Sequence, residues 1–599
     1  MTASPIDETS AEFAATARQF SDIAARSQKI VQDFLKSQQE SGLEDLDPLN
    51  IGGAFLELTQ KMMADPKRLW ELQTQYWSDY VDLWTNTTRR MLGDESAEPK
   101  VATDPDDRRF KDAAWTDNAA FEYVKQSYLL AAQYIQRSVA ETEELDDQTS
   151  HKVAFFTKQW IDAMAPTNFA ATNPEVLRAT VDSKGENLVN GLDNLLTDLE
   201  RGKGKLSIRM TDETKFKVGE NVAASPGSVV FQNDLIQLIQ YTPTTEKAFR
   251  RPLLIIPPWI NKFYILDLRN SNSFIRWAVA KGHAVFVVSW VNPDTRLAAK
   301  TFEDYMIEGP LAAMGAIEQA TGEKQVNMIG YCLGGTLTAC TMAHLANSGQ
   351  SDRVKSVTYF ATLVDFENAG DLCVFIDDEQ LKNLEKRMEK KGYLEGRDMS
   401  TTFNMLRAND LIWSFVSNNY LLGKDPFPLD LLYWNSDSTR MPAAMHTFYL
   451  RNMYQKNLLT KPDGMKLLGT PINLNSVKAP TFILSTKEDH IAPWKATYSS
   501  TQLYGGSVTF CLSGSGHIAG VVNPEGSDKY GYWVNARTPQ APDQWYASAT
   551  KHEGSWWPVW QKWISRQGGG KVAARSPGDG KLKVIEAAPG SYVKVRSSD

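Results

Sequence analysis

Apolar positions in the first two hundred residues recur at helical intervals. Phe13, Phe20, Ile23, Ile30 and Phe34 follow one another at steps of three, four and seven, which places them on one face of an amphipathic helix. A second helix is predicted to open at Asp65-Pro66, a capping residue followed by proline at the first helical position, and to run through Leu69, Trp70, Trp77 and Trp84. Its three tryptophans, seven apart, form one stripe. That stripe is expected either to pack the core of a helical N-terminal domain or to dock on an apolar partner surface.

From about residue 205 the pattern changes. "KLSIRM" and "SVVFQNDLIQLIQY" read as an antiparallel start. "RPLLIIPP", "HAVFVVSWV", "QVNMIG" and "VKSVTYFATLVDF" then read as buried strands, separated by helices such as "TFEDYMIEGPLAAMGAIEQA". Continuous apolar strands alternating with helices predict an α/β fold, with a mostly parallel sheet covered on both faces. Residues of about 366 to 450 interrupt this rhythm with a charged stretch and then an aromatic one, before "APTFILST" resumes it. They are expected to be an inserted lid or cap. The predicted organisation is an α-helical domain over 1–204, a catalytic domain over 205–569 containing the cap, and a tail over 570–599 with a small hairpin in "KLKVIEAAPGSYVKV".

Composition narrows the function classes. A chain of 599 residues exceeds one ordinary core, and a net charge of −8 gives no footprint for nucleic acid. Four cysteines without a CxxC read as free thiols of a reducing compartment. The polar N-terminus has no signal-peptide pattern, and no apolar run approaches the ~20 residues of a membrane span. The expectation is a soluble, intracellular protein.

The candidate chemistry centres on "NMIGYCLGGTLTAC", residues 327 to 340. Gly330-Tyr331-Cys332-Leu333-Gly334 has the form of a nucleophile elbow, a strand, a strained glycine-flanked turn and a helix. The helix N-terminus favours thiolate over thiol at Cys332. On such a hydrolase-like sheet an acid and then a histidine must follow, each just past a strand. "APTFILSTKEDHIAPW" supplies Asp489 and "GSVTFCLSGSGHIAG" supplies His517, with His490 a rival for the base. An oxyanion hole would combine the N–H of Leu333 with one from "PPWINKFY", that of Ile260. Cys340, Cys373 and Cys511 are read as packing residues. A cysteine acyl-enzyme is itself a thioester, so an acyl group taken from a thioester donor such as coenzyme A stays activated enough to pass to a hydroxyl. Such a site must exclude water, a role the cap suits.

The stretches "PPWINKFYILDL", "FVVSWVNPD", "GYCLGG", "LRANDLIW", "LLYWNSDSTRMP", "EDHIAPW", "SGSGHIAGVVNP" and "HEGSWWPVW" together make the chain resemble the polyhydroxyalkanoate synthases. The resemblance implies polymerisation of (R)-3-hydroxyacyl-CoA, with Cys332 carrying monomer or chain, His517 as base, and Asp489 either orienting His517 or helping to activate the 3-hydroxyl. No cofactor or metal is implied, because coenzyme A belongs to the substrate and is a product. The length is similar to class I, which implies a homodimer acting on short monomers, chiefly 3-hydroxybutyryl. Ala519 matches the class I pattern. Asp267, Arg407, Trp434, Asp437 and His490 carry over as residues lining or supporting the substrate channel, with a purely structural role as the alternative for each. Trp259 departs from the smaller residue expected in some relatives. The family analogy also implies that the N-terminal domain binds polymer, the surface of a cytoplasmic storage granule, or granule proteins such as phasins. Two rivals remain open: a thioesterase or polyester depolymerase on the same fold, and a non-catalytic granule-coating protein.

Overall fold

The computed structural model describes residues 51–94, 99–105, 107–527 and 529–596, together with Arg26, Lys29, Ile30 and Leu49. The helix expected over Phe13 to Phe34 lies largely outside these described residues. The chain forms two compact units, Met1–Asp212 with Arg407–Phe427, and Glu213–Leu406 with Pro428–Asp599. Among the described residues no helix is long and apolar enough to cross a membrane.

The first unit is helical. Its main elements are α1 (Ile51–Ala64), α2 (Pro66–Met91), α3 (Ala119–Ala140), α4 (Asp147–Ala163), α5 (Pro174–Asp182) and α6 (Glu186–Arg201). Side-chain caps explain several of the starts. Asp65 accepts the Arg68 N–H at 3.0 Å ahead of α2, and Asn118, Asp146 and Asn173 cap α3, α4 and α5 in the same way. In α2 it is Leu72 and Leu83 that are buried. Trp70, Trp77 and Trp84 stay 71, 56 and 59 % exposed. A helix turns about 100° per residue, so Leu72 lies roughly opposite Trp70, and the core uses that face. Core packing is therefore not what the tryptophan stripe does in this unit.

The segment expected as one cap is divided. Residues 407–427 cluster with the first unit, because α6 holds their backbone. Asn187 Nδ2 donates to the Leu421 carbonyl at 2.8 Å, Asn194 Nδ2 to that of Asn419 at 3.1 Å, and the Tyr420 hydroxyl to Asp198 at 2.6 Å. "KLSIRM" is not a strand. The fully buried Asp198 carboxylate takes both the side chain and the N–H of Arg209, at 2.6 and 3.1 Å, and so draws that stretch out of any ladder.

The second unit is built on a sheet of eleven strands. In chain order they are β1 (Gly227–Gln232), β2 (Ile236–Tyr241), β3 (Leu253–Ile256), β4 (Val285–Trp290), β5 (Val326–Tyr331), β6 (Val354–Phe360), β7 (Thr481–Thr486), β8 (Val508–Ser513), β9 (Tyr532–Val534), β10 (Thr550–His552) and β11 (Glu586–Ala587). Their order across the sheet is β10-β9-β8-β7-β6-β5-β3-β4-β2-β1-β11. The run β4-β3-β5-β6-β7-β8 is parallel, and the flanking strands are antiparallel. The sheet has a core on each face. Leu254, Ile256, Phe286 and Val288 join one, and Leu253, Ile255, Val285 and Val287 the other, as the two-residue pleat requires. Each such side chain contributes about 1.5–3 kcal/mol on burial.

The C-terminal hairpin expected within "KLKVIEAAPGSYVKV" does not close on itself. Glu586 and Ala587 pair with Val229 and Ser228 at the sheet edge, and Lys571–Ala573 pairs with Lys247–Phe249. The open edge of β1 is a better partner than a second strand of the tail, because it adds to an existing ladder.

Candidate active site

Cys332 lies between β5 and a helix, α7 (Leu333–Asn347). Its backbone is left-handed, with φ 50° and ψ −122°, a conformation that favours glycine and costs a cysteine about 1–3 kcal/mol. Neighbouring backbone holds it there. The Cys332 N–H donates to the Phe360 carbonyl at 2.9 Å, and its own carbonyl accepts from Gly335 N at 2.9 Å. The glycines make the turn possible. A Cβ on Gly334 would meet the carbonyl oxygens of Ile256 and Pro257 at 2.2 and 2.5 Å, and one on Gly335 would meet the Thr362 hydroxyl oxygen at 1.9 Å. The start of α7 is thereby seated on the C-terminal end of β3, against the loop that carries Ile260.

Asp489 follows β7 and His517 follows β8. His517 Nδ1 lies 2.7 Å from Asp489 Oδ2, and both side chains are buried. Asp489 also accepts the Thr486 hydroxyl at 2.9 Å and the N–H groups of Ile491 and Ala492 at 2.9 and 2.8 Å. A carboxylate used as acceptor on both oxygens fixes Nδ1 as the donor, and Cys332 lies close enough to act on the same ring. Burial works against the charged ring, yet the Asp489 carboxylate, with Cys332 also nearby, outweighs it and pushes the His517 pKa up to about 10. The ring therefore holds its proton at neutral pH, beside the sulfur.

Several residues that the sequence reading did not single out position this histidine. The Tyr331 hydroxyl donates to the His517 carbonyl at 3.0 Å, and the two rings stack at 5.7 Å. Indole N–H groups of Trp556 and Trp557 donate to Gly520 and Val521 carbonyls at 2.9 and 3.0 Å, pinning the loop just beyond His517. Their only signal was the doubled tryptophan of "HEGSWWPVW". From the cap, Tyr449 and Tyr454 reach the field of Cys332. Burial first, and then Cys332 for Tyr449 and the Tyr449 phenol ahead of Cys332 for Tyr454, push both phenols above their ordinary range.

The remaining candidates divide. Leu333, at the first position of α7, has an N–H without an intrahelical acceptor. Ile260 is buried, and its carbonyl accepts the Thr439 N–H at 3.0 Å. Asp267 is a structural hub, accepting the hydroxyls of Ser225 and Ser273, both at 2.6 Å; burial raises its pKa. Trp434 donates its indole N–H to the Lys262 carbonyl at 2.7 Å. Asp437 accepts the Tyr264 hydroxyl at 2.9 Å and is likewise shifted up by burial. His490 directly follows Asp489, but it is His517 that Asp489 holds. Ala519 is half-buried two residues beyond His517. Arg407 belongs to the first unit, where it pairs with Asp410. Cys340, Cys511 and Cys373 are pushed up by burial, the first two fully so.

Two family models match the chain: the Poly-beta-hydroxybutyrate polymerase (PhaC) N-terminus over residues 106–278 and the alpha/beta hydrolase fold over residues 251–524. Among curated proteins, the Poly(3-hydroxyalkanoate) polymerase subunit PhaC of Rhizobium meliloti is 50 % identical, covering 90 % of this chain and 88 % of its own. That of Rhizobium etli is 48 % identical over 92 % and 87 %. The Poly(3-hydroxyalkanoate) polymerase of Methylorubrum extorquens is 48 % identical over 93 % and 91 %. With an α/β-hydrolase sheet carrying a cysteine at its elbow, and this identity over nearly all of its length, the chain belongs to the poly(3-hydroxyalkanoate) polymerase family.

Proposed function

We propose that this chain polymerises (R)-3-hydroxyacyl-CoA, chiefly the 3-hydroxybutyryl thioester, into polyester, with release of coenzyme A, through a covalent thioester on Cys332. The observation that carries this reading is the cysteine at the strand-to-helix elbow, beside a His517 that Asp489 holds at 2.7 Å, in a member of a polymerase family.

The Cys332 thiolate attacks the thioester carbonyl, and the negative charge that develops on oxygen is held by the N–H groups of Leu333 and Ile260. The C–S bond to coenzyme A breaks, and His517 returns its proton to the departing thiolate. His517, now neutral, takes the proton of the 3-hydroxyl of an incoming hydroxyacyl-CoA as that oxygen attacks the acyl-Cys332 carbonyl. An ester forms and the Cys332 sulfur is freed. The lengthened chain, now on coenzyme A, reacylates Cys332 and releases coenzyme A. Activation comes from the substrate thioester, so the scheme asks for no bound cofactor. Asp489 serves as orienter of His517, a role supported by its two fully engaged oxygens. The Tyr449 and Tyr454 side of the cap shields the acyl-enzyme from water. The active form is a homodimer at the surface of a cytoplasmic polyester granule, with phasin-like granule proteins as partners of the first unit.

The test mixes purified protein with (R)-3-hydroxybutyryl-CoA and follows thiol release and turbidity together, with Cys332→Ala alongside. Thiol release with rising turbidity, both absent from the variant, is expected. Release without turbidity would make the protein a hydrolase, and an active Cys332→Ala would remove Cys332 from the chemistry.

A further inference from the structure

The last described residues of the chain turn back from the sheet edge to the loop that carries Ile260. Beyond β11, the buried Gln237 of β2 accepts the N–H groups of Ser591 and Tyr592 at 3.0 and 3.1 Å, and Nε2 of the same side chain donates to the Ser591 hydroxyl at 3.0 Å. This amide fixes a turn from which Val593 inserts, 1 % exposed, into one of the two sheet cores. The following carbonyl, that of Val595, accepts the Lys262 ammonium at 2.6 Å.

Lys262 is itself only 2 % exposed, a costly place for a charge unless it is held. It lies two residues beyond Ile260, and its charge acts on Asp437, whose carboxyl it pulls down against the upward effect of burial. From the other side the cap grips the same loop: Thr439 N–H donates to the Ile260 carbonyl, and Trp434 donates to the Lys262 carbonyl. The loop is thus fixed on one side by the cap and on the other by the tail.

We propose that Ser591–Arg596 is a strap that positions the oxyanion loop, acting through the Val595 carbonyl on Lys262, so that Lys262 is a positioning residue for acylation of Cys332. An oxyanion donor works only at about 3 Å from the developing charge, and losing one costs about 100- to 1,000-fold in rate. A small displacement is enough to lose much of that. The inference rests on the reading of Ile260 as such a donor.

The experiment uses the full-length chain as wild type, Lys262→Met, Gln237→Leu and the double variant. Single-turnover release of coenzyme A from (R)-3-hydroxybutyryl-CoA reads acylation, its dependence on substrate concentration separates kcat from KM, and alkylation of Cys332 by iodoacetamide reads the nucleophile without the oxyanion hole. Acylation is expected to fall about 10- to 100-fold in both single variants, in kcat rather than KM, with the alkylation rate kept and the double variant no slower than the slower single. Gln237 touches nothing at Cys332, and its amide also donates to Gln232 and Glu586 at the same sheet edge, so its effect reads the strap together with β11, which leads into it. Wild-type acylation in Gln237→Leu, or alkylation falling in step with acylation, would overturn the proposal. An active Cys332→Ala would instead overturn the assignment of the site on which it rests.

Discussion

In the proposed reaction, the difference between sulfur and oxygen at Cys332 decides what the acyl group can do next. A serine at the same elbow would form an oxygen ester, which passes its acyl group to a hydroxyl with little driving force. Cys332→Ser is expected to lose polymerisation by roughly 100-fold or more, read as turbidity per thiol released; full activity would remove the thioester argument. Asp489→Asn leaves the shape of the site but permits the wrong ring tautomer. Acylation and chain growth should then fall together, by roughly 100-fold or more in single-turnover and steady-state assays, whereas a loss confined to growth would place Asp489 on the 3-hydroxyl. His517 also couples the site to pH. Its folded pKa of about 10 lies above its ordinary value of 6.5, so the folded chain keeps a proton that the unfolded chain releases. The associated stability is fully present below about pH 6.5 and is lost as pH rises through 10. Denaturant unfolding across that window should show wild type losing stability relative to His517→Gln, and parallel curves would refute it.

Between residues and molecule stands the elbow, where strand, turn and helix must agree. Gly334→Ala places a methyl group against two backbone carbonyls of the β3 end, which cannot move as a side chain would. It is expected to cost about 1–3 kcal/mol and to slow acylation; a variant with wild-type unfolding and rate would contradict this packing. The elbow was legible in the sequence because its determinants are contiguous: apolar β5, spaced glycines, then a helical run. Asp489 and His517 were legible because each follows a strand in the required order. What was not legible depends on distant partners. "KLSIRM" has strand-like alternation, but Arg209 is claimed by Asp198. The tryptophans of α2 look like a core stripe, yet Leu72 and Leu83 take the buried face. Trp556 and Trp557 reveal their task only when they are folded against the loop after His517, about 40 residues earlier in the chain.

The molecule as a whole carries a second pH dependence, opposite in sign. His283 and His446 are buried as neutral rings, and burial lowers both from 6.5 to about 4. Their depressed values mean stability that is present above about pH 6.5 and lost as pH falls through 4. His446→Leu removes one such ring, whose Nδ1 lacks a hydrogen-bond partner, and should flatten the acid side of the stability profile measured by denaturant unfolding; an unchanged acid limb would count against it.

The interleaving of the two units also has a consequence for biosynthesis. The first unit is finished only by residues 407–427, whose backbone α6 must grip through Asn187 and Asn194. While a ribosome makes the intervening roughly 200 residues, the helices already emerged have an unfilled seat. Ribosomes add about 5–20 residues per second, so that seat stays open for tens of seconds in every new chain. Chaperone demand during translation should therefore concentrate on this early helical region. A chain begun at residue 213 would release the complementary segment, Tyr420 included, with nothing to receive it.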